Sequence, residues 1–315
     1  MTDLLFGAVA VAQQWLFETV VGPLLFAMGL AGWHEDAFDA LEGVVVGLYG
    51  LVILFLVLRP LEAWRPVERW ADRREARVDI VYSVLNRVGI VPLILFLLMD
   101  PLERQFASIL DDFNMVPWTL EYSVPMLADR PLLTMFIYVL ILDFAEYWRH
   151  RLQHRLNWWW ALHALHHSQR QMTLWSDTRN HVIDDLLRQV WLLVVALAVG
   201  APPSSYLAVV MLIMAVESLA HANVRLSFGK VGDRLLVSPL YHRIHHAIEQ
   251  AGAKHGCNFA VLFPVWDIVF RTARFDPRFL PTGIADDDGP AYEGGFLRHQ
   301  ATGFVRVWKA LTARA

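Results

Sequence analysis

An all-α integral membrane protein is the fold class this sequence predicts: about four transmembrane helices plus a helical hairpin, with a cytoplasmic histidine-rich helical cap. Three observations predict it. Apolar residues make up 56% of the 315 positions and charged residues only 18%, against about a quarter charged in soluble domains. Mean hydropathy is +0.38. Apolar runs approach the roughly 20 residues a helix needs to cross a bilayer, and the polar segments between them divide by charge.

The runs fall at about 4–30, 41–58, 78–99, 132–148, 186–200 and 204–220. The first carries Gln13, Gln14 and Glu18, which suit a helix lying partly in the interface. It lacks a positive segment leading to a small-residue cleavage site, so it does not read as a removed signal peptide. In the third, Asn86 and Arg87 interrupt the apolar pattern, and Arg87 calls for a carboxylate partner or a lipid headgroup. The last two are short and separated only by Pro202-Pro203, a pattern that predicts a hairpin returning to the side it entered from. Segment 59–77 holds six arginines, loop 31–42 holds none, and 100–131 holds Arg104 and Arg130 against six acidic residues. Five arginines lie in 149–185 and twelve basic residues in 221–315. By the positive-inside rule, both termini and nearly all histidines are expected on the cytoplasmic side of a multi-pass protein. The exception is His34, in an outer loop. The expected organisation is an N-terminal membrane region (1–130), a histidine-rich unit (131–275) and a cytoplasmic tail (276–315). Asp286-Asp287-Asp288-Gly289-Pro290 reads as a loop.

Composition excludes several functions. A net charge of −4 offers no basic surface for nucleic acid. The single cysteine, Cys257, excludes a disulfide framework and a cysteine-ligated iron–sulfur or zinc site.

Three histidine groups remain. His150 and His154 share one helix face at the end of the fourth run. His163, His166 and His167 make a second cluster, and His242, His245 and His246 a third, because residues three and four apart stack on a helix surface. Imidazole suits iron, zinc, copper and nickel, and eight nitrogens exceed what one such ion binds, so two metals are expected. His181 and His221 stand nearby as further candidates, and His255 follows the third group. His34 and His299 have no partners in sequence and are assigned no function.

From about Leu132 to Thr272 this arrangement resembles the fatty acid hydroxylase/sterol desaturase superfamily of membrane di-iron enzymes. The order of the boxes is the family's: His150-x3-His154, His163-x2-His166-His167 and His242-x2-His245-His246. The family's intervening single histidine most resembles His221. A His-Pro often follows the second box, where this chain has His181-Val182. Trp266-Asp267-Ile268-Val269-Phe270-Arg271-Thr272 is similar to the family's Trp-Asp-x-x-Phe-Gly-Thr, with arginine replacing glycine. Asn258-Phe259-Ala260 stands where Asn-Tyr-Gly is common.

The resemblance implies two non-haem irons per chain and molecular oxygen as co-substrate. The expected activity is a lipid hydroxylase or monooxygenase acting on a sterol, fatty acyl or related lipid. A desaturase is the sibling reading, since both reactions begin with hydrogen abstraction. A membrane metal transporter belongs to another class; it would place ligands near the bilayer midplane, whereas these boxes lie in cytoplasmic segments. Ligating imidazoles usually give their second N–H to a carboxylate or carbonyl. Glu146 and Glu217, four residues before His150 and His221, are the expected supports, with Asp143, Asp177, Asp184, Asp185 and Asp267 also near. The competing role for these carboxylates is ion pairing with Arg149, Arg188 or Arg225. Trp158-Trp159-Trp160 reads as an interfacial anchor or as the wall of a lipid channel. With no haem motif and no cysteine cluster, electrons are expected from an external ferredoxin or cytochrome b5-type donor.

Overall fold

A computed structural model describes residues 2–89, 119–200, 203–250, 256–285 and 292–313, with isolated positions between 91 and 113. Among them every regular element is helical, and the one bridge pairs Ala247 with Thr282. The all-α expectation holds.

Helix α1 (Thr2–Leu16) continues through a π turn at Phe17–Val21 into Gly22–Ala27. Its polar Gln13 is buried and donates to the Phe38 carbonyl at 2.8 Å. That bond ties α1 to α2 (His34–Trp64) and explains a glutamine inside an apolar run. Helix α3 (Arg74–Arg87) crosses α2 closely: a Cβ on Gly47 would lie 1.9 Å from the Arg87 carbonyl oxygen. Helix α4 (Pro131–Arg155) starts on a proline, whose missing N–H costs nothing at a helix start, and carries the first histidine box at its far end.

Three helical stretches are long and apolar enough to cross a membrane: Gly7–Ala27, Ala31–Trp64 and Pro131–Arg155. The expected run at 78–99 is described through Gly89 and at two positions beyond it, and the rest of it lies outside the described residues. Helices α6 (Val182–Val199) and α7 (Pro203–His221) form the shorter apolar pair. Gly200, at φ +62°, closes α6 in the left-handed conformation that glycine adopts without a Cβ penalty. The two pack on α4 through Val139, Leu142, Leu192, Ile213 and Val216. Outward-facing apolar residues such as Val52, Leu56, Leu132 and Val194 are exposed on these helices, as expected where lipid replaces water.

Arg87 finds its carboxylate. It is buried, with its guanidinium 2.5 Å from Asp177 and 2.8 Å from the Ser218 hydroxyl. The cap is built from α5 (Asn157–His167), α8 (Gly229–Leu235), α9 (Pro239–His245) and α10 (Val265–Val269). Ser238 caps α9, its hydroxyl accepting from the Tyr241 N–H at 3.2 Å, and Pro239 follows at the first helical position. The tryptophan triplet corrects the sequence reading. Trp159 and Trp160 are buried in the cap rather than spread along an interface.

Candidate metal centre

The three boxes and His221 converge on one place because four helix ends meet there. His150 and His154 come from the last turns of α4, His163, His166 and His167 from α5, His221 from the end of α7, and His242, His245 and His246 from α9 and its C-cap. All nine imidazoles are buried. They sort into two groups whose nitrogens lie within 4.8 Å of one another: His150, His154, His163, His167 and His245, and beside them His166, His221, His242 and His246. The groups adjoin, with the His167 and His246 rings stacked at 4.4 Å.

The nitrogen spacing is informative. The Nε2 atoms of His154 and His167 are 3.1 Å apart, as are those of His166 and His221, His221 and His242, and His242 and His246. Imidazole–metal bonds of about 2.1 Å meeting at right angles put neighbouring donors about 3.0 Å apart. Ring tautomers point the same way. Nδ1 of His150 donates to the Phe259 carbonyl at 2.9 Å, Nδ1 of His245 to the Cys257 carbonyl at 2.8 Å, and Nδ1 of His221 to the Glu217 carbonyl at 2.7 Å. A carbonyl only accepts, so these Nδ1 atoms carry the proton and Nε2 keeps a free lone pair. His163 gives its Nδ1–H to Asp184 at 3.2 Å. Nε2 of His150, His163 and His245 is buried with no partner among the described residues. Buried polar atoms are rarely orphaned without reason, and three bare lone pairs aimed into one nest fit a metal ion. Burial also holds the cap imidazoles neutral: His163, His166, His167, His242 and His246 are pushed below the ordinary histidine range, and His245 down to about 3.

Asp184 organises one side. Its carboxylate accepts from Gln153 Nε2 (2.8 and 2.9 Å), Trp159 Nε1 (2.7 Å) and His163. The buried Trp159 thus serves the site. On the other side Asp267 accepts from the Phe259 and Ala260 amides, the Thr272 hydroxyl and the Tyr241 hydroxyl. Asp143 accepts from the Leu262 and Phe263 amides and from the Trp266 indole. Together these two carboxylates fix the segment whose carbonyls orient His150 and His245. Arg271 holds a left-handed backbone at φ +59°, the region glycine adopts at no steric cost.

Glu146 and Glu217 take the ion-pairing role instead of offering carboxylates to an imidazole. Glu146 binds Arg149 at 2.6 Å and Arg188 at 3.2 Å, while Glu217 pairs with Arg188 at 3.3 Å and reaches His221 only through its backbone carbonyl. Arg149, Arg188 and Glu217, with Asp185 and Asn180, line a cleft of about 40 Å³ that opens on His150, His163, His166, His221 and His242. That volume suits a few waters or a diatomic gas.

His181 is not brought to either group. Its Nδ1 accepts from the Ile183 N–H at 3.2 Å as the cap of α6, and its Nε2 donates to the Gln300 carbonyl at 2.9 Å. With both nitrogens engaged, the ring has no lone pair for a metal. His255 lies outside the described residues. His299 is buried between Tyr82 and Tyr292, away from the nests. Spacing in the sequence gives no sign of Gln153 or of the carbonyls of Cys257 and Phe259, assigns Trp159 to an anchor or channel wall, and sets Asp184 behind the two glutamates. The Asn258 and Trp266-Asp267 motifs were the available signal for the carbonyl segment.

Comparison with known proteins agrees with this geometry. The fatty acid hydroxylase family profile matches residues 135–272. Human alkylglycerol monooxygenase is 30% identical over 243 residues, covering 76% of this chain and 48% of the relative. This chain therefore spans about half that protein's length. Ornithine lipid hydroxylase OlsE of Rhizobium tropici is 30% identical over 301 residues, 92% of this chain and 84% of the relative. Alkylglycerol monooxygenase of Danio rerio is 29% identical over 142 residues, 44% of this chain and 30% of the relative. No solved structure matches significantly. The histidine order, the carboxylate-fixed carbonyl segment and a relative aligned along nearly the whole chain lead to one conclusion: this chain belongs to the fatty acid hydroxylase family.

Proposed function

We propose that the protein is an oxygen-dependent, non-haem di-iron lipid hydroxylase or monooxygenase working in the membrane. The observation that carries this reading is the pair of adjoining buried nests of five and four imidazoles. In this reading His150, His154, His163, His167 and His245 hold one iron, and His166, His221, His242 and His246 hold the other. The irons would supply oxygen activation and hydrogen abstraction. The protein's own part is positional. Asp184 and the carbonyls of Phe259, Cys257 and Glu217 keep the bare nitrogens turned inward. Arg149, Arg188 and Glu217 form a polar wall over the cleft, and Glu146 holds the two arginines from behind it. Nine neutral imidazole donors would leave the ions most of their positive charge.

The relatives' names, alkylglycerol monooxygenase and ornithine lipid hydroxylase, support a lipid substrate and an oxygen-inserting outcome. The charge asymmetry of the loops supports a multi-pass topology with both termini and the nests on the cytoplasmic side. Residues 131–275 then form the catalytic unit between an N-terminal membrane region (1–130) and a tail (276–315). A separate ferredoxin or cytochrome b5-type protein, docking on the arginine-rich face, supplies electrons.

Purified protein should contain about two irons per chain and show no Soret band. Lipid profiling of a deletion strain should reveal one lipid lacking one oxygen; a lipid gaining two hydrogens would instead indicate desaturation. Metal flux across vesicles without oxygen consumption would overturn the proposal. Turnover with NAD(P)H alone would sink the external-donor part.

A further inference from the structure

Helix α11 (Phe296–Thr312), the last described helix, has sharply segregated apolar and polar side chains. His299 and Gly303 face inward. Gly303 sits so close to His181 that a Cβ there would lie 2.3 Å from the ring, and the His299 Nε2 donates to the Tyr292 carbonyl at 2.8 Å. The outward face should then be polar if it met water. Instead it carries Leu297 (82% exposed), Phe304 (58%), Trp308 (70%) and Leu311 (65%). These positions recur at intervals of seven, four and three residues, which is one stripe of an α-helix. Arg298 and Lys309, also exposed, sit together along one edge of that stripe.

The place of α11 says what covers the stripe. The helix packs along α5, which begins at Asn157, two residues after the candidate span Pro131–Arg155 ends. It also touches His181, the cap of the apolar helix α6. It therefore lies across the points where one apolar helix ends and another begins. Between α5 and α11 runs an open groove of about 640 Å³, with Arg298, Arg306 and Lys309 on its α11 wall. Seventeen residues span about 25 Å, and this helix carries too many cations to cross a bilayer. Tryptophan, phenylalanine and leucine on one face with basic residues beside them are the composition of a helix lying in the membrane interface.

We propose that α11 is an in-plane membrane anchor. Leu297, Phe304, Trp308 and Leu311 enter the acyl–headgroup boundary of the bilayer that the spans cross, while Arg298 and Lys309 meet anionic headgroups. The anchor holds the C-terminal side of the cap against the surface from which a lipid would enter. The inference rests on the membrane-embedded reading and is independent of the oxidation chemistry.

Spin-label accessibility tests it. Full-length protein is reconstituted into phosphatidylcholine/phosphatidylglycerol vesicles, with single cysteines at Phe304→Cys, Trp308→Cys, Arg298→Cys, Lys309→Cys and, as a control inside a span, Val52→Cys. The native thiol Cys257 is buried and its pKa is pushed up to about 12, so it labels poorly. Labels at 304, 308 and 52 should collide with oxygen in preference to a water-soluble nickel chelate, and labels at 298 and 309 should invert that ratio. If 52 reads lipid while 304 and 308 read water, the anchor is wrong and the membrane reading survives. If 52 also reads water, the membrane reading fails with it. Labels at 304 and 308 shielded from both reagents, or dipolar coupling between copies, would assign the stripe to a protein partner and overturn the proposal. Should either variant fail to fold, Leu297→Cys and Leu311→Cys read the same stripe.

Discussion

Replacing Asp184 by asparagine should loosen His163 from the proposed iron without removing any candidate ligand. The carboxylate is buried and accepts from three donors: Gln153, Trp159 and the His163 Nδ1–H. An asparagine has one acceptor oxygen and one NH2 group. With the oxygen kept on Trp159, which makes the shortest bond at 2.7 Å, the NH2 faces the His163 ring. Two donors then oppose each other, and the relief is a tautomer shift that moves the imidazole proton to Nε2, the nitrogen aimed into the nest. A hydrogen bond to a charged group contributes about 1.5–3 kcal/mol. Loss of a partner that orients a metal ligand costs roughly 10–100-fold in affinity, which is about 1.4–2.7 kcal/mol. The two ranges overlap, so a tenfold to hundredfold loss is expected. The assay is iron retained per chain across a chelator series at fixed pH, with unfolding of the metal-free protein followed separately. Glu217→Gln is the control: His221 bonds the Glu217 backbone carbonyl, which the substitution leaves in place. Equal chelator midpoints for Asp184→Asn and the unmodified protein would refute the reasoning, as would a larger loss in Glu217→Gln.

Three further outcomes are expected. His163→Ala or His245→Ala should abolish iron loading and activity, whereas His299→Ala should keep both and lower only thermal stability, by about 1–3 kcal/mol for the buried partners it leaves; metal analysis beside a melting curve separates them. Arg271→Gly should stabilise the protein by up to ~1 kcal/mol, because Arg271 is exposed and holds φ +59° at a left-handed cost of about 1–2 kcal/mol, part of which glycine's extra chain entropy offsets; a lowered melting temperature would contradict this. Burial brings the His299 imidazole down to about 4, with Arg179 and Arg298 adding to the shift and Tyr82 and Tyr292 in contact. Its folded pKa is below the unfolded value of about 6.5, so the unfolded chain takes up the proton first. Its contribution is full above pH 6.5 and is lost as pH falls towards 4, at up to about 1.4 kcal/mol per pH unit. His299→Gln should flatten that part of the stability–pH curve, and an unchanged slope would count against it.

The sequence by itself determined the helical membrane class, because apolar run length and a scarcity of charge are one-dimensional properties. It also marked eight candidate metal ligands, because spacings of three and four become a shared face on any helix, and the family resemblance added His221; the structure gathers these nine. It did not separate those nine into five and four, since that division depends on how α4, α5, α7 and α9 meet. His181 illustrates the limit: in sequence it is one more histidine near the boxes, and only the fold shows both of its nitrogens taken, one by its own helix start and one by the Gln300 carbonyl. The carboxylates illustrate it again. Spacing placed Glu146 and Glu217 beside His150 and His221, yet Arg149 and Arg188, arriving from the same and a neighbouring helix, claim their charge. Asp184 lies 21 residues from His163, at no helical interval, and reaches it because α6 packs across α5. Local periodicity fixes which side chains share a face; which partner each one meets is settled by packing between elements distant in the chain.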